Sequence, residues 1–207
     1  MNTPGQNTAG WRRFLSFPAG YEMAQRFMGV PALRHVFVDE YVRPFPGAKV
    51  LDLGCGPADI IDAFPEVDYL GVDISPAYIE SARRHHGHRG RFEAMSADQL
   101  EAEGESFDII FSFGMLHHID DETAKRVFRL ARTLLKPGGR YVCYDPAFEK
   151  GQHPIARLVG ILDRGNHVRY SEQYAALART AFATVQSEVR HGLVWFPVSL
   201  HFLIATR

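Results

Sequence analysis

Hydrophobic and polar positions set an alternating rhythm between Lys49 and Tyr144. Lys49–Leu53 is a short apolar run, followed by a glycine-rich turn and a helix expected through Ile60–Phe64. Tyr69–Val72 reads as a second strand ended by Asp73, and Pro76 suits the first turn of a helix reaching about His85. Arg91–Ala94 is a weaker third strand, and Asp108–Ser112 a stronger fourth. Asp121–Leu135 has amphipathic helical spacing, Pro137-Gly138-Gly139 closes it, and Arg140–Tyr144 gives a fifth strand. Strands alternating with helices predict a parallel sheet covered on both faces.

The flanks follow other patterns. About Phe14 to Val42 reads as helical pieces broken at Gly20, Gly29 and Pro31, and Arg43 to Gly47 as a turn. Residues 1–46 are therefore expected to form an N-terminal helical cap or lid, and 47–207 the main domain of a chain with one globular unit. Near the end, Ser171–Thr180 is helical, while Phe182–Arg190 and Ser199–Ala205 are β-like with no room for a helix between them. They should pair as an antiparallel hairpin at a sheet edge. The fold class is α/β: a doubly wound, Rossmann-like, mostly parallel sheet of about seven strands, with helices on both faces.

Composition narrows the function without naming it. A length of 207 residues suits one α/β domain with a full core. The net charge of −1 gives no basic excess, so no nucleic-acid partner is expected. No segment approaches the ~20 apolar residues of a spanning helix, and the first residues have no signal-peptide core. Cys55 and Cys143 sit in strand-like runs, not in a disulfide framework. A reduced, cytoplasmic setting is the expectation.

The sharpest motif is Val50–Ile60, VLDLGCGPADI. A strand running into Gly54 and Gly56 allows a tight turn and close backbone approach to a ligand at the carboxyl edge of the sheet. The same glycines would also serve strand–helix packing. Asp73 follows Asp52 by 21 residues, near the spacing at which an acid meets ribose hydroxyls. It could instead cap the next helix, but Ser75 is better placed for that. A dinucleotide fingerprint would want a third glycine at Asp59, whose charge would oppose a pyrophosphate. Asp52 and Asp59 suit a cationic adenosine ligand better. A nicotinamide-dependent oxidoreductase is disfavoured on that ground.

Five segments in order, VLDLGCGPADI, YLGVDIS, FEAMSADQL, SFDIIFSFGMLHHI and LLKPGGRYVCY, resemble the class I S-adenosylmethionine-dependent methyltransferases. The resemblance covers about Lys49 to Tyr144 and implies S-adenosyl-L-methionine as cofactor and a small-molecule methyl acceptor. It implies that Asp52, Gly54 and Gly56 line the methionine part, that Asp73 holds the ribose and that Ile74 packs on the adenine. Ala97 and Asp98 would lie beside the adenine amino group, with Phe113 offering backbone contacts to the methionine end. Two positions depart from the family pattern: Ala58 replaces its third glycine, and Ser96 the acid before Ala97. A non-catalytic assembly module of the same fold is the alternative, against which the intact glycine loop and Asp73 speak.

Methyl transfer is an in-line displacement, so the protein supplies alignment, a dry pocket and sometimes a base. His117, followed by His118 past the fourth strand, is the candidate base or acceptor-orienting group; both could instead fix a helix entry. Asp145 ends the fifth strand and could orient an acceptor, or simply precede the turn at Pro146. Arg164, His167 and Arg169 lie in a stretch that could hold an anionic acceptor or be a solvated connection. Tyr21, with Phe27 and Met28, could fold over the pocket. His85, His86 and His88 sit at a helix end and read as structural, so no metal is expected.

Overall fold

A computed structural model describes residues 29–97, 100, 106–162 and 165–207. Helix α1, Val30–Val36, continues as a π-helical turn, Phe37–Val42. Strand β1 is Lys49–Leu53, followed by a short 3-10 helix, Asp59–Ala63. Then come β2 (Asp68–Asp73), α2 (Pro76–His86), β3 (Gly90–Ala94) and β4 (Phe107–Phe113). A 3-10 turn, Leu116–His118, leads to α3 (Asp121–Leu134) and β5 (Leu135–Phe148). Last are α4 (Pro154–Leu162), β6 (Arg169–Tyr170), α5 (Ser171–Arg179), β7 (Thr184–Arg190) and β8 (Leu200–Thr206).

The strands form one sheet in the order β3-β2-β1-β4-β5-β8-β7, with β6 paired to β5. β1 to β5 run parallel, and β8 runs antiparallel to both β5 and β7. The order reverses between β1 and β4, which opens a crevice beyond their carboxyl ends. Leu51, Leu53, Ile110, Tyr141 and Leu203 bury one face with Val127, Phe128 and Ala131 of α3 and Tyr174 of α5. Val50, Ile109, Phe111, Val142 and Phe202 bury the other with Leu33 of α1, Phe37 and Val38 of the π-helical turn and Ile79 of α2. Each large side chain buried this way contributes about 1.5–3 kcal/mol.

Local chemistry sets the helix starts. Ser75 accepts from the Tyr78 amide at 3.4 Å ahead of Pro76, and Asp120 accepts from the Thr123 amide at 2.8 Å. Several boundaries differ from expectation. Pro31 does not break α1; it stands in the first turn, where its missing N–H costs nothing. The helix expected at Ile60–Phe64 is only a 3-10 turn, because Pro65 and β2 follow at once. Pro137-Gly138-Gly139 lies inside β5, whose pairing with β4 shifts register there, with Gly138 at φ 76°. The terminal hairpin forms, but β8 takes the inner place and only β7 lies at the edge. β6 falls where a loop is expected. Among the described residues, no helix is long and apolar enough to cross a membrane.

Candidate active site

β1 ends in a backbone cradle. Gly54 and Gly56 adopt φ 76° and 55°, and the amides of Gly54 and Cys55 donate to the Val72 carbonyl at 2.8 and 3.0 Å. A Cβ at Gly54 would stand 2.7 Å from Met115 Cγ, so only glycine fits between β1 and the segment after β4. A Cβ at Gly56 would meet nothing within 4 Å, so the space beside its Cα is open. Ala58, in the family's third glycine place, has φ 64°, a left-handed conformation costing a side-chain-bearing residue about 1–3 kcal/mol.

Asp73 closes the cradle. Its Oδ2 accepts from Gly56 N at 3.0 Å and its Oδ1 from Ser75 N at 2.8 Å. Each oxygen keeps a lone pair for a further donor. Burial pushes this carboxyl above its usual range, against the pull of those two amides. Ile74 beside it is 46% exposed, an apolar face left open at the end of β2. Ala97 is half-buried near the end of β3, and Asp98 lies outside the described residues.

Asp52 is buried within the sheet layer. Its Oδ2 accepts from Tyr69 Oη at 2.5 Å, while Oδ1 is buried without a hydrogen-bond partner. Burial raises its pKa to about 7, despite the tyrosine hydrogen bond. A cationic ligand group would restore the carboxylate. Asp59 does not share this role. The left-handed turn at Ala58 directs it under α1, where Oδ2 pairs with Arg34 Nη2 at 3.0 Å and Oδ1 lies 3.8 Å from His86 Nε2. Its charge is thus compensated within the protein, so the expectation that it faces the cofactor is corrected. His86 also lies 3.5 Å from Asp62 Oδ1, and His85 Nδ1 lies 3.3 Å from Ser81 Oγ. No cluster of three or more metal-ligating side chains converges among the described residues.

Asp145, expected to end the fifth strand, lies inside β5, three residues before its end, and meets His117 of the turn after β4. His117 Nδ1 lies 2.8 Å from Asp145 Oδ1, which also accepts from His117 N at 3.0 Å. Both residues are buried. Burial raises the Asp145 carboxyl, and the bonds from His117 oppose that rise. A Cβ on Gly114 would lie 3.6 Å from His117 Cε1 and 3.9 Å from Tyr144 Cε1, so all three converge on one edge. Phe113 is half-buried there, 4.6 Å from the Tyr144 ring and 5.3 Å from Phe37.

The stretch before α5 serves this pair in a way the sequence pattern does not reveal. A Cβ on Gly165 would fall 2.2 Å from His117 Cδ2, so the Gly165 backbone packs on the imidazole. His167 donates its backbone N–H to the His117 carbonyl at 3.0 Å. Arg169 is buried, with its guanidinium on the carbonyls of Leu116, Ile119 and His167 at 2.7–3.0 Å and on Asp121 Oδ1 at 2.8 Å. Four of its donors are spent inside the protein, two of them on the turn carrying His117, so the expectation of acceptor binding by Arg169 is corrected. Arg164 and Tyr21 lie outside the described residues. Sequence reasoning also missed His201. It stands opposite Asp145 in the β5–β8 register, fully buried and stacked on Tyr174 at 4.9 Å.

Residues 50–139 match the model of the methyltransferase domain family. The ubiquinone biosynthesis O-methyltransferase of Pseudomonas fluorescens is 30% identical over 190 residues, covering 84% of this chain and 79% of that protein. The protein of the same name from Cereibacter sphaeroides is 29% identical over 180 residues, covering 79% and 70%. Among solved structures, the Haemonchus contortus phosphoethanolamine N-methyltransferase 2, complexed with S-adenosylhomocysteine, is similar in fold. Its TM-score is 0.68 at 20% identity, covering 84% of this chain and 52% of that one. The cofactor is S-adenosylmethionine, and the site's own features fit it: an open glycine cradle, an unpartnered buried Asp52 oxygen, spare lone pairs on Asp73 and an exposed Ile74. The chain belongs to the class I S-adenosylmethionine-dependent methyltransferases.

Proposed function

We propose that the protein methylates a hydroxyl of a small-molecule acceptor, with His117 as general base and Asp145 as its positioning partner. The hydrogen-bonded His117–Asp145 pair at the edge of β4 and β5 is the observation that carries this reading. When bound, S-adenosylmethionine supplies an activated methyl group, so the protein's tasks are alignment and proton removal. Asp52, Gly54 and Gly56 hold its methionine end, and Asp73, Ile74 and Ala97 its adenosine end. Phe113 contributes backbone beside the methionine end.

An Nδ1–H donated to Asp145 leaves the imidazole lone pair on Nε2. A base at that nitrogen would take up the hydroxyl proton that the acceptor loses on methyl transfer. The acceptor hydroxyl reflects the names of the two curated relatives, both O-methyltransferases.

His117→Ala is expected to lower kcat by roughly 100-fold while the S-adenosylmethionine Kd stays unchanged. Radiolabelled methyl transfer to a panel of phenols and other hydroxy metabolites, followed by mass spectrometry, measures this. Full turnover by the variant would remove His117 from the mechanism. Transfer only to amines would overturn the hydroxyl assignment.

A further inference from the structure

A cavity of about 580 Å³ opens between the segment after β5 and the loop 191–199 that joins β7 to β8. Ligand sites commonly span ~300–1,000 Å³. None of its lining residues belongs to the cofactor cradle or to the His117–Asp145 pair.

Its polar side is built from hydrogen bonds. Glu149 Oε1 accepts from Ser199 Oγ at 2.6 Å and is bonded by His191 Nε2. Ser199 Oγ in turn accepts from Gln152 Nε2 at 2.9 Å, and that amide also donates to the Ala147 carbonyl at 3.1 Å. The carboxylate therefore sits at the end of a fixed chain of donors. Burial would raise its pKa, but the bonds from Ser199 and His191 outweigh burial and hold it below the usual range. The lining also includes the apolar and aromatic Val194, Trp195, Phe196 and Val198. Trp195 is 81% exposed, yet a Cβ on Gly29 would fall 2.9 Å from its Cδ1, so the indole is braced by the start of α1. No lysine or arginine lines the cavity among the described residues.

We propose that this cavity binds the far end of the methyl acceptor, and that this end is an organic ammonium group on an apolar or aromatic body. A fixed carboxylate in a cavity that aromatic rings also line attracts a cation through charge and ring quadrupole together. The same carboxylate repels a phosphate or carboxylate ligand, and an uncharged apolar ligand would desolvate it without return. Glu149 lies four residues beyond Asp145, about 13 Å along an extended chain. The acceptor is therefore elongated, with its ammonium remote from the methylated atom. This inference rests on the reading that the acceptor enters over the β4–β5 edge.

The test is fluorescence titration of the full chain in a Trp11→Phe background, where Trp195 is the remaining tryptophan. The probes are phenethylammonium, 2-phenylethanol and phenylacetate, which share a ring and differ in charge. Phenethylammonium should bind saturably and about tenfold more tightly than 2-phenylethanol, with phenylacetate weakest. Glu149→Gln should erase the gap between the ammonium and the alcohol. Calorimetry on Trp195→Ala, which keeps Glu149, should show ammonium affinity reduced severalfold. Equal affinity for the three probes, preference for phenylacetate, no binding at millimolar concentration, or an unchanged ammonium affinity in Glu149→Gln would each overturn the proposal. S-adenosylmethionine affinity, measured on the same samples, separates the two readings. If it is retained while the ammonium fails to bind, the cavity assignment falls and the methyltransferase site stands.

Discussion

At the scale of single residues, environment sets the role more than residue type does. Asp52, Asp59 and Asp73 are three carboxylates near one loop, and their surroundings differ sharply. Asp59 is compensated by Arg34, Asp73 accepts two backbone amides, and Asp52 keeps one buried oxygen without a partner. Asp52 carries a pH dependence. Its pKa rises from 3.8 to about 7 on folding. The folded protein therefore holds a proton that the unfolded chain releases, and stability from this group is lost as pH rises from about 4 through 7. Binding of a cation needs the carboxylate, so cofactor affinity should weaken as pH falls below 7. Calorimetry in buffers of different ionisation heat should detect proton release on binding at pH 6 and little at pH 8. Asp52→Asn should weaken S-adenosylmethionine binding by roughly tenfold or more, while its apo melting temperature at pH 8 is no lower than the parent's. A variant that binds normally would remove Asp52 from the site.

The role of Ser75 as a helix cap is legible because it depends on neighbours three residues away. The partner of Asp59 is not, because Arg34 lies 25 positions earlier on another element. Asp52 with Tyr69 and His117 with Asp145 are likewise joined only by the sheet. A sequence can nominate His117 and Asp145 from their places near the carboxyl ends of strands, but only the pairing of β4 with β5 makes them a pair.

At the scale of elements, the segment 165–170 acts as a brace for the turn 116–118. Arg169→Ala would leave the carbonyls of Leu116 and Ile119 without their charged donor, and a loss of about 2–4 kcal/mol of stability is expected from denaturant unfolding. A change within experimental error would show that the clamp carries no stability. Gly165→Ala tests positioning more finely, since the added methyl collides with His117 rather than with the cofactor cradle. Its kcat should fall while S-adenosylmethionine affinity is retained. A lowered affinity with kcat intact would contradict this account of the brace.

Strands β1, β2 and β4 are legible because their apolar runs end in special residues, Gly54, Asp73 and Gly114. The 3-10 helix after the loop is less so, since Pro65 and the start of β2 cut short what composition alone would extend. Arg169 misleads for a related reason. A basic residue in a polar stretch looks solvated until its long side chain is found turned inward onto backbone carbonyls.

At the scale of the whole molecule, the sheet gathers its chemistry along one edge. The reversal of strand order between β1 and β4 places the glycine cradle, the Asp73 carboxylate, the histidine–aspartate pair and the Glu149 cavity at or near the carboxyl ends of neighbouring strands. The antiparallel β8 extends that edge by bringing the loop 191–199 beside the end of β5. The alternating pattern of the first five strands announces this edge. The Glu149 cavity escapes the pattern, because its two sides come from segments that no periodicity links. S-adenosylmethionine is expected to lie across the ends of β1 and β2. A crystal structure with S-adenosylhomocysteine is the decisive measurement. Density should be bounded by the Gly56 backbone, the Asp73 carboxylate and the Ile74 side chain. An empty cradle at saturating ligand, or density for the ligand away from these three residues, would contradict this placement.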